Sequence, residues 1–191
     1  MENFPSVENT VENTSEKKKY GPVGLIYDVV SIFTTALVII AMLFTFVIRF
    51  VGVDGSSMEP TLSDGDWLVV SAINNNIQVG DIVISTQPNS FNEPLVKRVI
   101  AKGGQTIDIN FESGDVIVDG KKLDEPYIKE LTRTSEGVSF PLTVPEGTLF
   151  LMGDNRNGST DSRSDLVGCV DERYVLGVVR FRLTPEFTKF N

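Results

Sequence analysis

The chain has 191 residues, 41% of them hydrophobic, with 26 acidic against 17 basic side chains, a formal net charge of −9, one cysteine and no histidine. That length suits one domain of ordinary size plus an additional element, and the acidic balance excludes the basic patch that nucleic acid requires. The lone Cys169 excludes an internal disulfide framework, and without histidine there is no ligand set for a protein zinc site, so neither metal nor cofactor is expected.

Residues 1–16 are polar, acidic and poor in aromatics, a composition that cannot bury enough apolar surface to offset ordering and reads as disordered. Residues 29–48, VVSIFTTALVIIAMLFTFVI, form an uncharged run of 20, the length needed to cross a hydrocarbon core of about 30 Å. Lys17, Lys18 and Lys19 precede the run and Arg49 follows it, so the positive-inside bias places the N-terminus in the cytoplasm and the rest of the chain outside. A cleavable signal peptide has a shorter apolar region, about 7–15 residues, ending at an Ala-x-Ala-like site, whereas this run exits through Ile48, Arg49, Phe50 and Val51. An uncleaved anchor in the lipid bilayer is the better reading. The chain therefore divides into a cytoplasmic tail (1–24), a transmembrane anchor (25–50) and an extracytoplasmic domain (51–191).

From Trp67 onward, short apolar runs rich in β-branched residues alternate with turn formers at 67–70, 82–84, 95–100, 107–111, 116–118, 148–152 and 178–183. TIDINF (106–111) alternates apolar and polar, and VIVDGKKL (116–123) sets Asp119-Gly120 between two runs, a type I′ hairpin signal. The expected fold is mostly β, an antiparallel sheet domain preceded by a single transmembrane helix.

Chemistry enters at GSSMEPTL (55–62). A hydrolytic serine needs a base, and with no histidine in the chain the candidate is Lys97 in LVKRVI (95–100), because Ser-Lys is a known nucleophile–base pairing. Free lysine, with a pKa near 10.4, is neutral in only about one molecule in 2500 at pH 7, so the fold must lower that value, and lowering it to about 8 is within what burial can supply. Strand alternation points Lys97 away from Val96 and Arg98. A plainer reading makes Lys97 part of a solvated face and SMEPT a surface turn leading into a short helix, with serine as its N-cap and Pro60 in the first turn. A third segment, GDNRNGSTDSR (153–163), has the composition of a hydrogen-bonded loop around polar groups, and its Asp154, Asp161 and Arg163 also fit a purely structural ion-pair network. Ser57 lies eight residues beyond Arg49, so an extended chain keeps it within about 29 Å of the membrane exit, near substrates that are themselves membrane-inserted.

In these segments the chain resembles the type I signal peptidases, membrane-bound serine proteases that remove signal peptides from exported proteins. The resemblance rests on Ser57-Met58-Glu59-Pro60-Thr61-Leu62, Gly80-Asp81-Ile82-Val83, Lys97-Arg98-Val99, and Gly153-Asp154-Asn155-Arg156 followed by Ser159, Asp161, Ser162 and Arg163, in the family's order. It implies the same β fold, Ser57 as nucleophile, Lys97 as general base, Ser159 as a hydroxyl holding the lysine, and Asp161 and Arg163 as supports. It further implies secretory preproteins as substrates and shallow apolar subsites for small residues, lined by Val53, Met58, Leu62 and Val96. The chain departs from the family at two places. Gly55 stands where some members carry a serine that completes the oxyanion hole, leaving backbone N–H groups such as that of Ser57 or a water to serve, and Ala101-Lys102-Gly103-Gly104-Gln105 replaces a Gly-x-Pro-Gly-Asp pattern. Two rivals remain: a self-cleaving regulator of the LexA-like class, which also uses Ser-Lys, and a membrane-anchored β binding module carrying a relic motif.

Overall fold

The structure, a computed structural model, describes residues 21–73, 76–88 and 93–190. The tail expected over 1–24 lies outside them as far as residue 20, and so do the three flanking lysines. Packing divides the chain into two units, Met1–Ala41 and Met42–Asn191.

Helix α1 spans Pro22–Phe46, and its 25 residues, none of them buried, are long and apolar enough to cross a bilayer. It overlaps the uncharged run without matching it. The helix opens at Pro22, where a missing N–H costs nothing, and it stops short of Ile48 because the next residues pair as a strand.

Among the described residues twelve strands follow: β1 (Ile48–Gly52), β2 (Trp67–Ser71), β3 (Ile82–Ser85), β4 (Leu95–Lys102), β5 (Thr106–Asn110), β6 (Asp115–Val118), β7 (Lys121–Lys122), β8 (Leu142–Thr143), β9 (Thr148–Met152), β10 (Val170–Asp171), β11 (Val175–Thr184) and β12 (Thr188–Lys189). All pair antiparallel. The larger sheet runs β1-β2-β11-β3-β4-β9-β10 with β12 on β11, and the smaller runs β7-β6-β5-β8. Each strand expected from the sequence is present, and the fold is mostly β. At the β6–β7 turn Asp119 and Gly120 take φ of 51° and 74°, the two positive values that a type I′ hairpin needs. The atypical 101–105 loop closes on itself: Gln105 N–H donates to Lys102 O at 3.0 Å, and Lys102 N–H to Gln105 Oε1 at 2.9 Å.

Alternation sorts the strand side chains into separate cores. Ile100, Phe150 and Met152 pack on Ile107, Ile109, Val116 and Val118, which joins the two sheets. In β3, Ile82 and Ile84 join Met58, Leu62, Leu68 and Val70, whereas Val83 joins Val99, Leu151 and Val178. The first of these groups draws the 55–62 segment against β3 and β4, and β9 delivers the 153–163 segment to the same place.

Candidate active site

Ser57 sits in the turn between β1 and β2. Met58 and Leu62 on either side of that turn are 1% and 0% exposed, so burial in the core clamps the segment while Ser57 stays partly accessible. The short helix that the plainer reading allowed does not form. Residues 57–62 remain a turn, consistent with Pro60 disfavouring helical backbone at Glu59.

Lys97, in the middle of β4 opposite Val83, is 4% exposed, so the solvated-face reading fails. Its Nζ donates to Ser57 Oγ at 2.7 Å and to Val96 O at 3.1 Å. Burial lowers its pKa from 10.5 to about 8, opposed by the negative charges of Asp161, Glu136 and Asp154 and aided by Arg163. When the amine is neutral its lone pair can accept the serine proton across the same short distance. The next residue behaves oppositely. Arg98 forms a bidentate pair with fully buried Asp154 at 2.8 and 2.6 Å, donates to Gly80 O, and lies 4.1 Å from the Tyr127 ring centre. Thr61 Oγ1 donates to the same carboxylate, tying the serine turn to Asp154.

The 153–163 segment surrounds the pair. Asn155 holds the serine turn twice, its N–H donating to Ser57 O and its Nδ2 to Ser56 O, both at 3.1 Å. Asp161 accepts from Ser159 Oγ and Gly153 N–H at 2.9 Å each and from Arg163 Nε at 2.8 Å. Arg163 Nη2 reaches Arg156 O at 2.6 Å, and Arg156 pairs with Glu125 at 2.6 Å. Asp154, Asp161 and Arg163 thus do form buried ion pairs, and the same pairs position the groups next to Ser57. Glu59 pairs with Lys129 at 2.9 Å.

A groove of about 530 Å³ opens over Ser57 and Lys97, lined on its apolar side by Val53, Met58, Ile84 and Val96. Leu62 lies in the core behind that wall and Gly55 is outside the lining. Asp54, Glu93 and Thr160 also face the groove, and nothing in the sequence pattern singled them out.

Gly153 is the tightest point of the assembly. A Cβ there would lie 2.2 Å from Ser159 Oγ and 2.5 Å from Ser57 O, distances no real Cβ contact shows. Gly153→Ala should force the two serines apart by about 1 Å and lower kcat/KM roughly a hundredfold, with about 1–3 kcal/mol lost in a urea melt. Unchanged peptide cleavage by this variant would show that the spacing across Gly153 does not matter to the chemistry.

Comparison with known proteins identifies the family. The family described as Signal peptidase, peptidase S26 matches residues 26–184. Signal peptidase I of Bacillus licheniformis is 34% identical in an alignment over 181 residues that covers 90% of this chain and 95% of the relative. Signal peptidase I T of Bacillus subtilis (strain 168) is 40% identical in an alignment over 143 residues that covers 70% of this chain and 72% of the relative. A solved signal peptidase I from Enterococcus faecalis V583 aligns at 29% identity with a TM-score of 0.45, covering 55% of this chain and 97% of its own. The family match and the Bacillus relatives favour a peptidase over the self-cleaving regulator and the relic binding module. The chain belongs to the signal peptidase family, peptidase S26, and is a membrane-anchored serine endopeptidase of the signal peptidase I type.

Proposed function

We propose that this enzyme removes N-terminal signal peptides from secretory preproteins, cutting after small residues in an Ala-x-Ala-like pattern, with Ser57 as nucleophile and neutral Lys97 as general base. The observation that carries the mechanism is the 2.7 Å contact between Lys97 Nζ and Ser57 Oγ in a chain with no histidine. Lys97 takes the hydroxyl proton as Oγ bonds to the scissile carbonyl carbon, and the developing oxyanion faces the Ser57 N–H. The lysine returns that proton to the leaving amine of the mature protein as the C–N bond breaks. Water, deprotonated by Lys97, then cleaves the signal-peptide ester and regenerates Ser57. Ser159 donates its proton to Asp161, which Arg163 holds, whereas the hydrogen bonds of Lys97 Nζ go to Ser57 Oγ and Val96 O, so Ser159 supports the site through Asp161. Val53, Met58 and Val96, with Leu62 packed behind them, give the shallow apolar wall that small side chains fit.

The same reading keeps 1–24 as cytoplasmic tail, 25–50 as anchor in the bilayer and 51–191 as the extracytoplasmic catalytic domain, supported by the lysine asymmetry around the apolar run. Protease added to intact spheroplasts should then degrade the C-terminal part. Its protection would reverse the orientation.

Incubation of the detergent-solubilised chain with a secretory precursor should yield a new N-terminus preceded by small residues at the last and third-last positions of the released peptide. Cleavage elsewhere, or none, removes the substrate assignment.

The base assignment has its own pH signature. With the Lys97 pKa at about 8, roughly one molecule in ten has a neutral lysine at pH 7, and kcat/KM on a soluble peptide should rise tenfold per unit below a limb near 8. Lys97→Ala and Lys97→Arg should both be inactive with unchanged circular dichroism, since a guanidinium keeps its proton throughout this range. Substantial turnover by Lys97→Arg would place the base elsewhere.

A further inference from the structure

A segment with no motif in it crosses the catalytic network from outside. Residues 131–138 are pinned along their length by the 156–164 segment. Asn157 Oδ1 accepts from Arg133 N–H at 2.8 Å and from Thr134 N–H at 3.1 Å, while Arg156 Nη1 donates to buried Thr132 Oγ1 at 2.9 Å. Arg163 Nη1 donates to Thr134 O at 3.2 Å, Val138 N–H donates to Arg163 O at 3.1 Å, and Gly137 bridges to Ser164. Gly137 takes a φ of +115°, a backbone shape that favours glycine at this point of the strap. This fastening places one carboxylate, Glu136, over the inner network: its Oε1 lies 3.5 Å from Arg163 Nη2, with only 17% of its side chain exposed.

Counting charge around that arginine gives the inference. Arg163 is already neutralised by Asp161, at 2.8 Å through Nε and 2.9 Å through Nη2. Glu136 is a second carboxylate on the same cation, and the trio carries one net negative charge. The other charged groups near Lys97 are Asp154, which Arg98 neutralises in a bidentate pair, and Asp54 and Glu93 on the rim of the groove. We propose that Glu136 is a positioning residue for the reaction, held over Arg163 by the 131–138 strap so that its carboxylate leaves the Asp161–Arg163 network with a net negative charge that acts on Lys97 and thereby tunes the pH at which the base becomes available.

The electrostatics agree in sign. Glu136 acts on Lys97 to favour the ammonium, against the effect of burial. Glu136 itself is raised above the ordinary glutamate range, first by burial and then by Asp161, as expected of a carboxylate sharing a poorly solvated site. Removing its charge should therefore lower the lysine further. Merely loosening the strap would admit water and raise it, so the direction of the change separates an electrostatic role from a structural one.

The proposal rests on Lys97 being the base. The test is the pH profile of kcat/KM for the full-length chain in detergent, on a soluble peptide spanning a signal-peptide cleavage site. In Glu136→Gln the acid limb should move down by about half a unit or more, so that at pH 6.5 the variant is about threefold faster than the parent. Glu136→Asp keeps the charge and should return the limb towards its original place. Asp115→Asn, which removes a carboxylate paired with Lys122 in the smaller sheet, should leave it unmoved. If Glu136→Gln does not fold, Glu136→Ala makes the same charge change without an amide to bury. A limb near 8 that stays put or moves up in the neutral variants overturns this role for Glu136. Absence of any such limb in the parent enzyme overturns the Lys97 reading and this one with it.

Discussion

The constraint on which the site depends is that Lys97 must be kept dry and within 2.7 Å of Ser57. A shift from 10.5 to about 8 corresponds to about 3 kcal/mol of preference for the neutral amine. The folded state binds that proton less tightly than the unfolded chain, so the fold bears the full penalty below about pH 8. The penalty shrinks as pH rises towards 10.5 and is gone above it. At neutral pH the penalty is at its full size, and the remainder of the domain must hold against it. Three buried hydrophobic clusters and a seven-strand path through the larger sheet supply the rigidity that keeps water from Lys97.

The buried arginines act on geometry more than on stability. Replacing such ion pairs by packed apolar groups often costs nothing, whereas removing one partner is severe. Here Arg98–Asp154, Arg156–Glu125 and Arg163–Asp161 each cross between segments or close a loop. Arg98 and Lys97 are neighbours on one strand with opposite requirements: the guanidinium stays charged and is surrounded by acceptors, and the amine is given a hydroxyl and a single carbonyl. Alternation along β4 lets adjacent residues occupy such different surroundings.

Much of this was legible in the sequence because it is local. Period-two alternation marked β5, and the positive-φ demand of Asp119-Gly120 marked the hairpin. Absence of histidine directed attention to a lysine, and three short segments carried the family resemblance. What stayed hidden is non-local. β8, β10 and β12 are two residues long, too short for any period, and β1 was concealed because Ile48, Arg49 and Phe50 looked like the exit of the apolar run. Glu125 and Glu136 have no motif. They matter because the fold carries them to Arg156 and Arg163, and no spacing along the chain reports that. The lysine surroundings were legible only in part: Ser57 was foreseen as a partner, but the second hydrogen bond goes to Val96 O and not to Ser159, and the carboxylates around Arg163 were not weighed against burial.

Gly55 shows how a single departure from the family pattern propagates through a loop. Its φ of +90° is a conformation that a serine would adopt only under strain, although a Cβ there would meet nothing within 4 Å. Backbone shape, and not lack of room, therefore distinguishes this turn from one carrying a hydroxyl at the same position. The Gly55 N–H is held by Asp64 Oδ1 at 2.9 Å, so it already has an acceptor of its own. In the proposed mechanism the oxyanion then depends on the backbone of the serine turn itself, beginning with the Ser57 N–H. That raises the importance of whatever fixes the turn: Met58 and Leu62 from the core side, and Asn155 from the carbonyl side.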